Sequence, residues 1–140
     1  MSFLLDTNLI SELRKSAKCN RAVWTWYEAQ SFEDLFLSVL TTGEIRKGVE
    51  KCRLKDVPRA QAYENWLRGL ESGFKERILP VTAEIADVWG RLTYRVPMPA
   101  IDGLLAATAQ YYSMTVVTRN EADFQRIGVD YFNPFTGGKP

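Results

Sequence analysis

Short apolar runs alternate along this chain with longer segments in which apolar residues recur every three or four positions. The short runs are typical of buried strands in a parallel sheet, and the longer segments are typical of helices with one apolar face. The pattern predicts strands at residues 2–5, 34–38, 77–81, 115–117 and 130–132. It predicts helices at residues 8–13, 20–30, 41–53, 59–74, 82–92 and 99–112, and a short one from residue 121. Strands and helices in alternation indicate an α/β fold with a mainly parallel sheet covered on both faces.

The predicted helices differ in how they are expected to pack. Asn20 and Thr82 are predicted N-caps of the helices that follow them. The helix after Thr82 is expected to turn four apolar side chains inward: Ile85, Val88, Trp89 and Leu92. The helix at residues 59–74 carries a stripe that is more often core than interface: Tyr63, Trp66, Leu67, Leu70 and Phe74. The helix at residues 99–112 is apolar nearly all round, which predicts burial on several sides, with Pro99 at its first position.

Length and composition narrow the class of protein. A chain of 140 residues predicts a single domain, at residues 1–135, followed by a flexible tail at residues 136–140. The net charge of +1 provides no bulk attraction to nucleic acid, so any contact with RNA needs a local basic patch. Two cysteines without a Cys-x-x-Cys motif indicate free, buried thiols and argue against a zinc site. Because no apolar stretch reaches 18 residues and no basic leader is present, a cytoplasmic location is expected.

Histidine is absent from the sequence, which excludes histidine-based acid–base catalysis and the Ser-His-Asp and Cys-His arrangements. The glycine-rich loops that bind mononucleotides are absent as well. If the protein is an enzyme, carboxylates are therefore its obvious catalytic groups.

The first candidate site residues follow the first predicted strand. Phe3-Leu4-Leu5 ends abruptly in Asp6-Thr7-Asn8, which is a carboxylate, a hydroxyl and an amide. Ligands of open α/β sheets bind at the carboxyl ends of the strands. A simple turn or helix-cap cluster is the alternative explanation of these three residues.

Glu44 is the second candidate. The segment Thr41-Thr42-Gly43-Glu44 fits a capping box, in which Glu44 would accept a hydrogen bond from the Thr41 N–H. Gly48 lies one turn further along the same face and leaves a bare surface beside the carboxylate. A metal, a phosphate or a close-packed neighbour would need such a surface, so both interpretations of the segment stay open.

Further candidates lie near the fourth strand and at the start of the apolar helix. Asp102 begins a helix that otherwise belongs in the core, where a carboxylate needs a counter-charge, although stabilisation by the helix dipole is the alternative. Thr118, Asn120 and Asp123 follow the fourth strand, and capping of the next helix by Thr118 or Asn120 is the alternative there. In a right-handed parallel arrangement, the ends of the first and fourth strands can lie side by side.

Two to four carboxylates that converge at this edge would form an all-oxygen site for a hard cation such as Mg²⁺ or Mn²⁺. Such a cation suits the hydrolysis of a phosphodiester. It orients and deprotonates a water molecule, and it stabilises charge on the attacked phosphate and on the leaving oxygen.

The same segments resemble the motifs of PIN-domain ribonucleases, particularly the VapC- and FitB-type toxins of bacterial toxin–antitoxin pairs. The resemblance covers nearly the whole chain, and the motifs occur in the family's order. They are Leu4-Leu5-Asp6-Thr7-Asn8 with Ile10-Ser11-Glu12, Leu37-Ser38-Val39-Leu40-Thr41-Thr42-Gly43-Glu44-Ile45-Arg46-Lys47-Gly48, Pro99-Ala100-Ile101-Asp102-Gly103-Leu104-Leu105-Ala106-Ala107-Thr108-Ala109, Val117-Thr118-Arg119-Asn120-Glu121-Ala122-Asp123-Phe124 and Phe132-Asn133-Pro134-Phe135.

The resemblance implies a PIN-like three-layer α/β/α sandwich around a central, mainly parallel sheet of four to five strands. It implies a Mg²⁺- or Mn²⁺-dependent endoribonuclease that acts on RNA and is held inactive by a cognate antitoxin. It also implies a homodimer, alone or within a larger toxin–antitoxin assembly.

Individual site residues follow from the same resemblance. Asp6, Glu44 and Asp102 fall on the family's first three acidic positions. Asn120 stands where many members carry the fourth acid, so Asp123 is expected to take that position. Asp6 and Asp102 would then be the metal ligands, and Glu44 and Asp123 would hold water molecules of the metal. The expected supporting residues are Thr7, Asn8, Thr118 and Asn120.

The substrate surface and the alternative functions depend on weaker signals. The densest basic run contains Arg46, Lys47, Lys51, Arg53, Lys55 and Arg59. A solvated helix face is its default interpretation, and contact of Arg46, Lys47 and Lys51 with RNA phosphates is the alternative. A catalytically silent PIN-type binding module is the second function considered. A phosphoacceptor receiver domain is disfavoured, because the strand at residues 77–81 carries no acid at its end.

Overall fold

Five short strands form one parallel sheet within residues 1–138, the part of the chain that the computed structural model describes. The strands are β1 (Phe3–Leu5), β2 (Leu35–Ser38), β3 (Ile78–Leu79), β4 (Thr115–Val117) and β5 (Tyr131–Phe132). Their order is β3-β2-β1-β4-β5, and every neighbouring pair is parallel. The predicted α/β fold is confirmed, and the first and fourth strands are neighbours, as expected.

The helices connect the strands and lie close to their predicted positions. They are α1 (Thr7–Leu13), α2 (Arg21–Glu28), α3 (Val39–Arg53), α4 (Val57–Phe74), α5 (Ala83–Thr93), α6 (Ala100–Tyr111) and α7 (Glu121–Ile127). Asn20 and Thr82 cap α2 and α5 as predicted, because the side-chain oxygen of each accepts backbone N–H bonds from the first turn.

Side chains of β1 alternate between the two faces of the sheet and so define the layers. Phe3 and Leu5 belong to an apolar cluster with side chains of α1, α2, α3 and α4. Leu4 belongs to a second cluster, which includes Leu105 of α6 and Phe124 of α7. The apolar cluster on each face produces the three-layer α/β/α sandwich that was predicted.

Four helix starts differ from the prediction. Asp6 follows β1 and caps α1, so this helix begins one residue earlier than expected. Ser38, the last residue of β2, caps α3, so this helix begins two residues earlier than expected. Asp56 caps α4, and Pro58 lies inside the first turn, where its missing N–H costs no hydrogen bond. Pro99 occupies the N-cap position of α6 and is not the first helical residue.

Helices α5 and α6 pack closely at Gly103. A Cβ atom on Gly103 would lie 2.9 Å from Nε1 of Trp89 and 3.1 Å from a methyl carbon of Thr93, so only glycine permits this approach. Trp89 was expected to be buried, but it packs across α6 and stays 36% exposed. Helix α6 itself is buried on several sides, as its composition predicted.

Three further expectations concern the cysteines, the membrane and the C-terminus. Cys19 and Cys52 are both free, but they are half-buried and not fully buried as predicted. Within residues 1–138, none of the helices combines the length and the apolar character needed to cross a bilayer. Thr136 belongs to a 3-10 helix, Pro134–Thr136, and the predicted tail residues Lys139 and Pro140 lie outside the described residues.

Candidate metal centre

Asp6 lies directly after β1 and is only 5% exposed. Its backbone N–H donates to the carbonyl oxygen of Val117 at 3.0 Å, which extends the pairing of β1 with β4. Its Oδ1 accepts a hydrogen bond from the backbone N–H of Thr7 at 2.7 Å. Its Oδ2 accepts from the hydroxyl of Thr118 at 2.8 Å and from the amide of Asn8 at 3.1 Å. The four polar residues predicted at these two strand ends therefore contact one another.

Glu44 lies at the same edge because Thr7 holds it there. The Thr7 hydroxyl donates to Oε1 of Glu44 at 2.5 Å, which links the first turn of α1 to α3. The capping-box interpretation is wrong, since α3 begins before Thr41 and the Glu44 carboxylate bonds to another helix. The bare surface at Gly48 serves close packing, because a Cβ atom there would lie 2.8 Å from the hydroxyl of Tyr63 in α4.

Asp102 and Asp123 are joined through Asn120. The Nδ2 atom of Asn120 donates to Oδ2 of Asp102 at 3.2 Å and to Oδ2 of Asp123 at 3.0 Å. Asn120 stands at the N-cap position of α7, but its side chain makes no cap hydrogen bond. Its backbone N–H donates to the hydroxyl of Thr118 at 3.0 Å, which connects this group to Asp6. The capping interpretation of the Asn120 side chain is therefore wrong.

The pKa values of Asp6 and Asp102 both lie above the usual range of an aspartate. Burial raises the pKa of Asp6, and the charge of Glu44 adds to this effect, although the hydrogen bond from Thr118 opposes it. Burial, followed by the charge of Asp6, raises the pKa of Asp102 to about 6. In the described part of the chain, no lysine or arginine forms an ion pair with Asp6, Glu44 or Asp102. Negative charge is thus concentrated at this edge without a protein counter-ion.

Asp123 differs from these three acids. Hydrogen bonds from Asn120 and then from Arg126 hold its pKa below the usual range. The Nη2 atom of Arg126 lies 2.6 Å from Oδ1 of Asp123 and 3.2 Å from the carbonyl oxygen of Pro97. Sequence reasoning missed Arg126, although its position three residues after Asp123 on a helix is the usual spacing of an ion pair.

The donor set fits a hard divalent cation held by few ligands. Carboxylate oxygens are the ligands that Mg²⁺ and Mn²⁺ prefer, and Mg²⁺ commonly keeps several water molecules while one or two carboxylates bind it. The uncompensated charge at Asp6 and Asp102 is the charge such a cation would neutralise. Residues 1–138 contain no group of three or more acidic, cysteine or histidine side chains arranged as a ready cage. A cation at this edge would therefore take no more than one or two direct ligands from these residues.

The three basic residues considered for contact with RNA, Arg46, Lys47 and Lys51, lie on α3 beyond Glu44. Arg46 contacts Glu50 and Glu64, each at 3.0 Å, so its charge is already neutralised. Lys47 and Lys51 are exposed and form no ion pair with residues in the described range. The possible RNA contact of these two lysines remains a prediction.

Two more residues near the site were not predicted. The backbone N–H of Arg119 donates to Oδ1 of Asn8 at 3.1 Å, and its guanidinium stacks 4.4 Å from the ring centre of Phe135. Glu12 is buried, but Lys15 and the backbone N–H of Asn20 satisfy its carboxylate, which marks it as a structural acid.

The three-layer sandwich and the acidic residues beyond β1 and β4 define an α/β protein with a candidate metal site at a strand edge. The chain belongs to the PIN-domain family, because the family model, described as PIN domain, matches residues 3–130. The receiver-domain alternative is therefore wrong.

Known proteins resemble the chain along nearly its full length. The toxin FitB of Neisseria gonorrhoeae is 34% identical over 137 residues, which covers 94% of this chain and 97% of FitB. A VapC ribonuclease of Sinorhizobium fredii is 33% identical and covers 94% of this chain and 96% of its own length. The solved structure of FitAB bound to a DNA fragment superposes with a TM-score of 0.85 at 33% identity and 95% coverage of both chains. A toxin–antitoxin complex from Klebsiella pneumoniae gives a TM-score of 0.74 at 26% identity, with 95% of this chain and 98% of that chain covered.

Proposed function

We propose that this protein is the toxin of a type II toxin–antitoxin pair and acts as a Mg²⁺- or Mn²⁺-dependent endoribonuclease. The names of the relatives, a toxin and a ribonuclease, support the two halves of this proposal. The observation that carries it is the set Asp6, Glu44 and Asp102, three acids at one sheet edge that form no ion pair with a lysine or arginine of residues 1–138. Structural carboxylates are normally paired, so this concentration of charge favours a role in binding a cation.

Asp6 and Asp102 are the proposed metal ligands. Three hydrogen bonds, from Thr7, Asn8 and Thr118, fix the Asp6 carboxylate before any cation binds. A bound divalent cation would supply positive charge for the attacked phosphate and the leaving oxygen, and would make a water molecule more acidic. Because Asp6 is already oriented, little reorganisation of its side chain is needed on binding.

Glu44 and Asp123 are the proposed outer acids, which accept hydrogen bonds from water molecules at the site. Thr7 orients Glu44, and Asn120 orients Asp123 from the other side. Both carboxylates can hold or move a proton of a water molecule near the phosphate. Asn120 donates to Asp123 and to Asp102 without adding charge.

The proposed partners follow from the related toxin–antitoxin structures and from the exposed lysines of α3. The FitAB structure and the Klebsiella pneumoniae toxin–antitoxin complex support a cognate antitoxin as the inhibitory partner. We further propose a homodimer within that assembly, which light scattering of the purified chain with and without antitoxin would test. Lys47 and Lys51 are the proposed contacts with RNA phosphates, whereas Arg46 is held by Glu50 and Glu64.

The proposal is tested by cleavage of total cellular RNA with Mg²⁺ or Mn²⁺ and, separately, with EDTA. The unmodified protein is expected to cleave RNA only with the metal, and Asp6→Asn is expected to abolish cleavage and relieve growth arrest in a bacterial host. Asp87→Asn is the matched control, because Asp87 is an exposed carboxylate paired with Arg91 on α5. Full activity of Asp6→Asn, or equal cleavage in EDTA, would exclude the proposed mechanism.

A silent PIN-type binding module is a second candidate, favoured by one feature. The fourth acidic position carries the uncharged Asn120, and Arg126 neutralises Asp123 beside it. The same assay separates the two functions. A silent module would bind RNA or a protein partner but would leave RNA intact at every metal concentration.

A further inference from the structure

Arg126 connects two parts of the chain beside the candidate metal centre. One atom, Nη2, donates to Oδ1 of Asp123 within α7 at 2.6 Å. The same atom donates to the carbonyl oxygen of Pro97 at 3.2 Å, in the loop that leads into α6. Because Asp102 lies in the first turn of α6, the guanidinium joins α7 to the segment just before this acid.

A continuous series of hydrogen bonds leads from Arg126 to Asp102. Arg126 holds Oδ1 of Asp123, and Asn120 holds Oδ2 of the same carboxylate at 3.0 Å. Asn120 then donates to Oδ2 of Asp102 at 3.2 Å. Within residues 1–138, Asn120 is the only side chain that donates a hydrogen bond to the Asp102 carboxylate.

We infer that Arg126 is a positioning residue of the metal centre and that it acts on Asp102 through Asp123 and Asn120. This inference rests on the proposed role of Asp102 as a metal ligand. It gives Asp123 a second task beside its proposed contact with water, since both of its oxygens are already engaged by the chain.

The physical reason is that Arg126 and Asn120 together fix the Asp123 carboxylate, one at each oxygen. If Arg126 released Oδ1, the carboxylate would be held at Oδ2 alone and would be less ordered. The Asn120 amide would then lose the firm position of one of its two acceptors, and the hydrogen bond that it donates to Asp102 would be less well oriented. Partners that orient metal ligands typically contribute about 10- to 100-fold in metal affinity.

An effect of charge alone would change the metal affinity in the opposite direction when Arg126 is removed, so the direction of the change tests the inference. Arg126 is a cation beside an acidic site, so its removal should strengthen the binding of a divalent cation through weaker repulsion. A positioning role predicts that its removal weakens binding. The sign of the change therefore distinguishes the two effects without any measurement of catalysis.

The experiment is a calorimetric titration of Mn²⁺ into the metal-free full-length protein. Arg126→Gln is expected to weaken Mn²⁺ binding by about 10-fold or more. Arg126→Lys keeps a donor and a charge and is expected to remain within about threefold of the unmodified protein. Arg91→Gln is the matched control, since Arg91 forms a similar helical ion pair with Asp87 and lies outside the site, and it should not change the affinity.

A double variant tests the route through Asn120. Asn120→Ala should weaken Mn²⁺ binding, and adding Arg126→Gln to it should cause little further loss because both act on the same carboxylate. Unchanged or stronger binding in Arg126→Gln, or fully additive losses in the double variant, would overturn the inference.

A measurement on the metal-free protein tests the role of Arg126 independently of the proposed function. The side-chain amide resonances of Asn120, identified by their absence in Asn120→Ala, should shift in metal-free Arg126→Gln but not in Arg91→Gln. If the unmodified protein binds no Mn²⁺, the proposed function fails, and the amide resonances alone decide the inference. Amide resonances that stay in place in Arg126→Gln would overturn it.

Discussion

Two groups of carboxylates in this protein have opposite surroundings. The sheet-edge carboxylates, Asp6, Glu44 and Asp102, contact hydroxyls and amides but form no ion pair in the described part of the chain. The α3–α4 carboxylates, Glu50 and Glu64, are surrounded by arginines. Glu64 alone contacts Arg46 at 3.0 Å, Arg53 at 2.6 Å and Arg68 at 2.8 Å.

The difference appears in the proton affinity of each group. Burial and neighbouring acids raise the pKa of Asp102 to about 6, whereas the arginines lower the pKa of Glu64 to about 2. The α3–α4 carboxylates help to hold two helices together. Asp6 and Asp102, whose pKa values are raised, instead destabilise the metal-free fold, and a protein retains such groups mainly where a ligand uses them.

The largest expected difference between the two groups is in catalysis. Asp102→Asn should reduce RNA cleavage by at least about 10³-fold, because several kcal/mol of charge stabilisation by the metal would be lost. Glu64→Gln should leave cleavage within about twofold, since Glu64 pairs with arginines of α3 and α4 and contacts none of the sheet-edge carboxylates. Initial rates on the same RNA, at saturating Mn²⁺, measure both variants. Similar losses in the two variants would show that the comparison does not identify the active groups.

The two groups should also have opposite effects on stability. In EDTA at neutral pH, Asp102→Asn should raise the melting temperature, because it removes a partly buried charge that repels Asp6. Glu64→Gln should lower the melting temperature, because three arginines lose a charged partner. Thermal unfolding by circular dichroism measures both changes, and a shift of the same sign in both variants would contradict the account.

The pH dependence of these shifts provides a finer test. The folded protein binds the Asp102 proton more tightly than the unfolded chain, so the contribution of Asp102 to stability falls as the pH rises from about 4 to about 6. The advantage of Asp102→Asn should therefore be absent below about pH 4 and complete above about pH 6. For Glu64 the sign is reversed, and the stability it contributes should be lost as the pH falls from about 4.5 to about 2. Melting temperatures of both variants are measured in EDTA across this pH range. Parallel curves of melting temperature against pH for the two variants would contradict the account.

The smallest expected effect concerns the basic side of α3. Lys47→Glu with Lys51→Glu should weaken RNA binding and reduce its salt dependence by about 0.7 in log–log slope for each lost phosphate contact. Arg46→Glu should change the slope less, because Glu50 and Glu64 already neutralise Arg46. Fluorescence anisotropy of labelled RNA, in an Asp6→Asn background that cannot cleave it, measures the slope. Equal slopes in all these proteins would restrict the two lysines to a solubilising role.

The sequence predicted the strands and helices whose hydrogen bonds and apolar contacts depend on nearby residues. Apolar runs and periodic stripes identified the strands and helices, and Asn20 and Thr82 cap helices as expected. Helix α3 began earlier than predicted because Ser38 ends β2 and caps the helix at once, a choice that depends on the sheet. The contact of Trp89 with Gly103 depends on how α5 crosses α6, which no local pattern contains.

The candidate site was only partly predictable for the same reason. Asp6, Glu44, Asp102 and Asp123 each stood out beside a strand end or helix start. Their sequence positions did not reveal that Thr7 bonds to Glu44 or that one amide of Asn120 bridges two acids. The bonds from Thr7 to Glu44 and from Asn120 to Asp102 join residues that are distant in sequence, so they exist only once the sheet has formed.

The most direct test of the central claim is the affinity of the metal-free protein for Mn²⁺. Calorimetric titration should detect binding to the unmodified protein, a loss of binding in Asp6→Asn, and unchanged binding in Glu64→Gln. This result would assign the cation to the sheet-edge carboxylates and exclude the arginine-paired acids of α3 and α4. Equal affinity in Asp6→Asn and the unmodified protein would contradict the account.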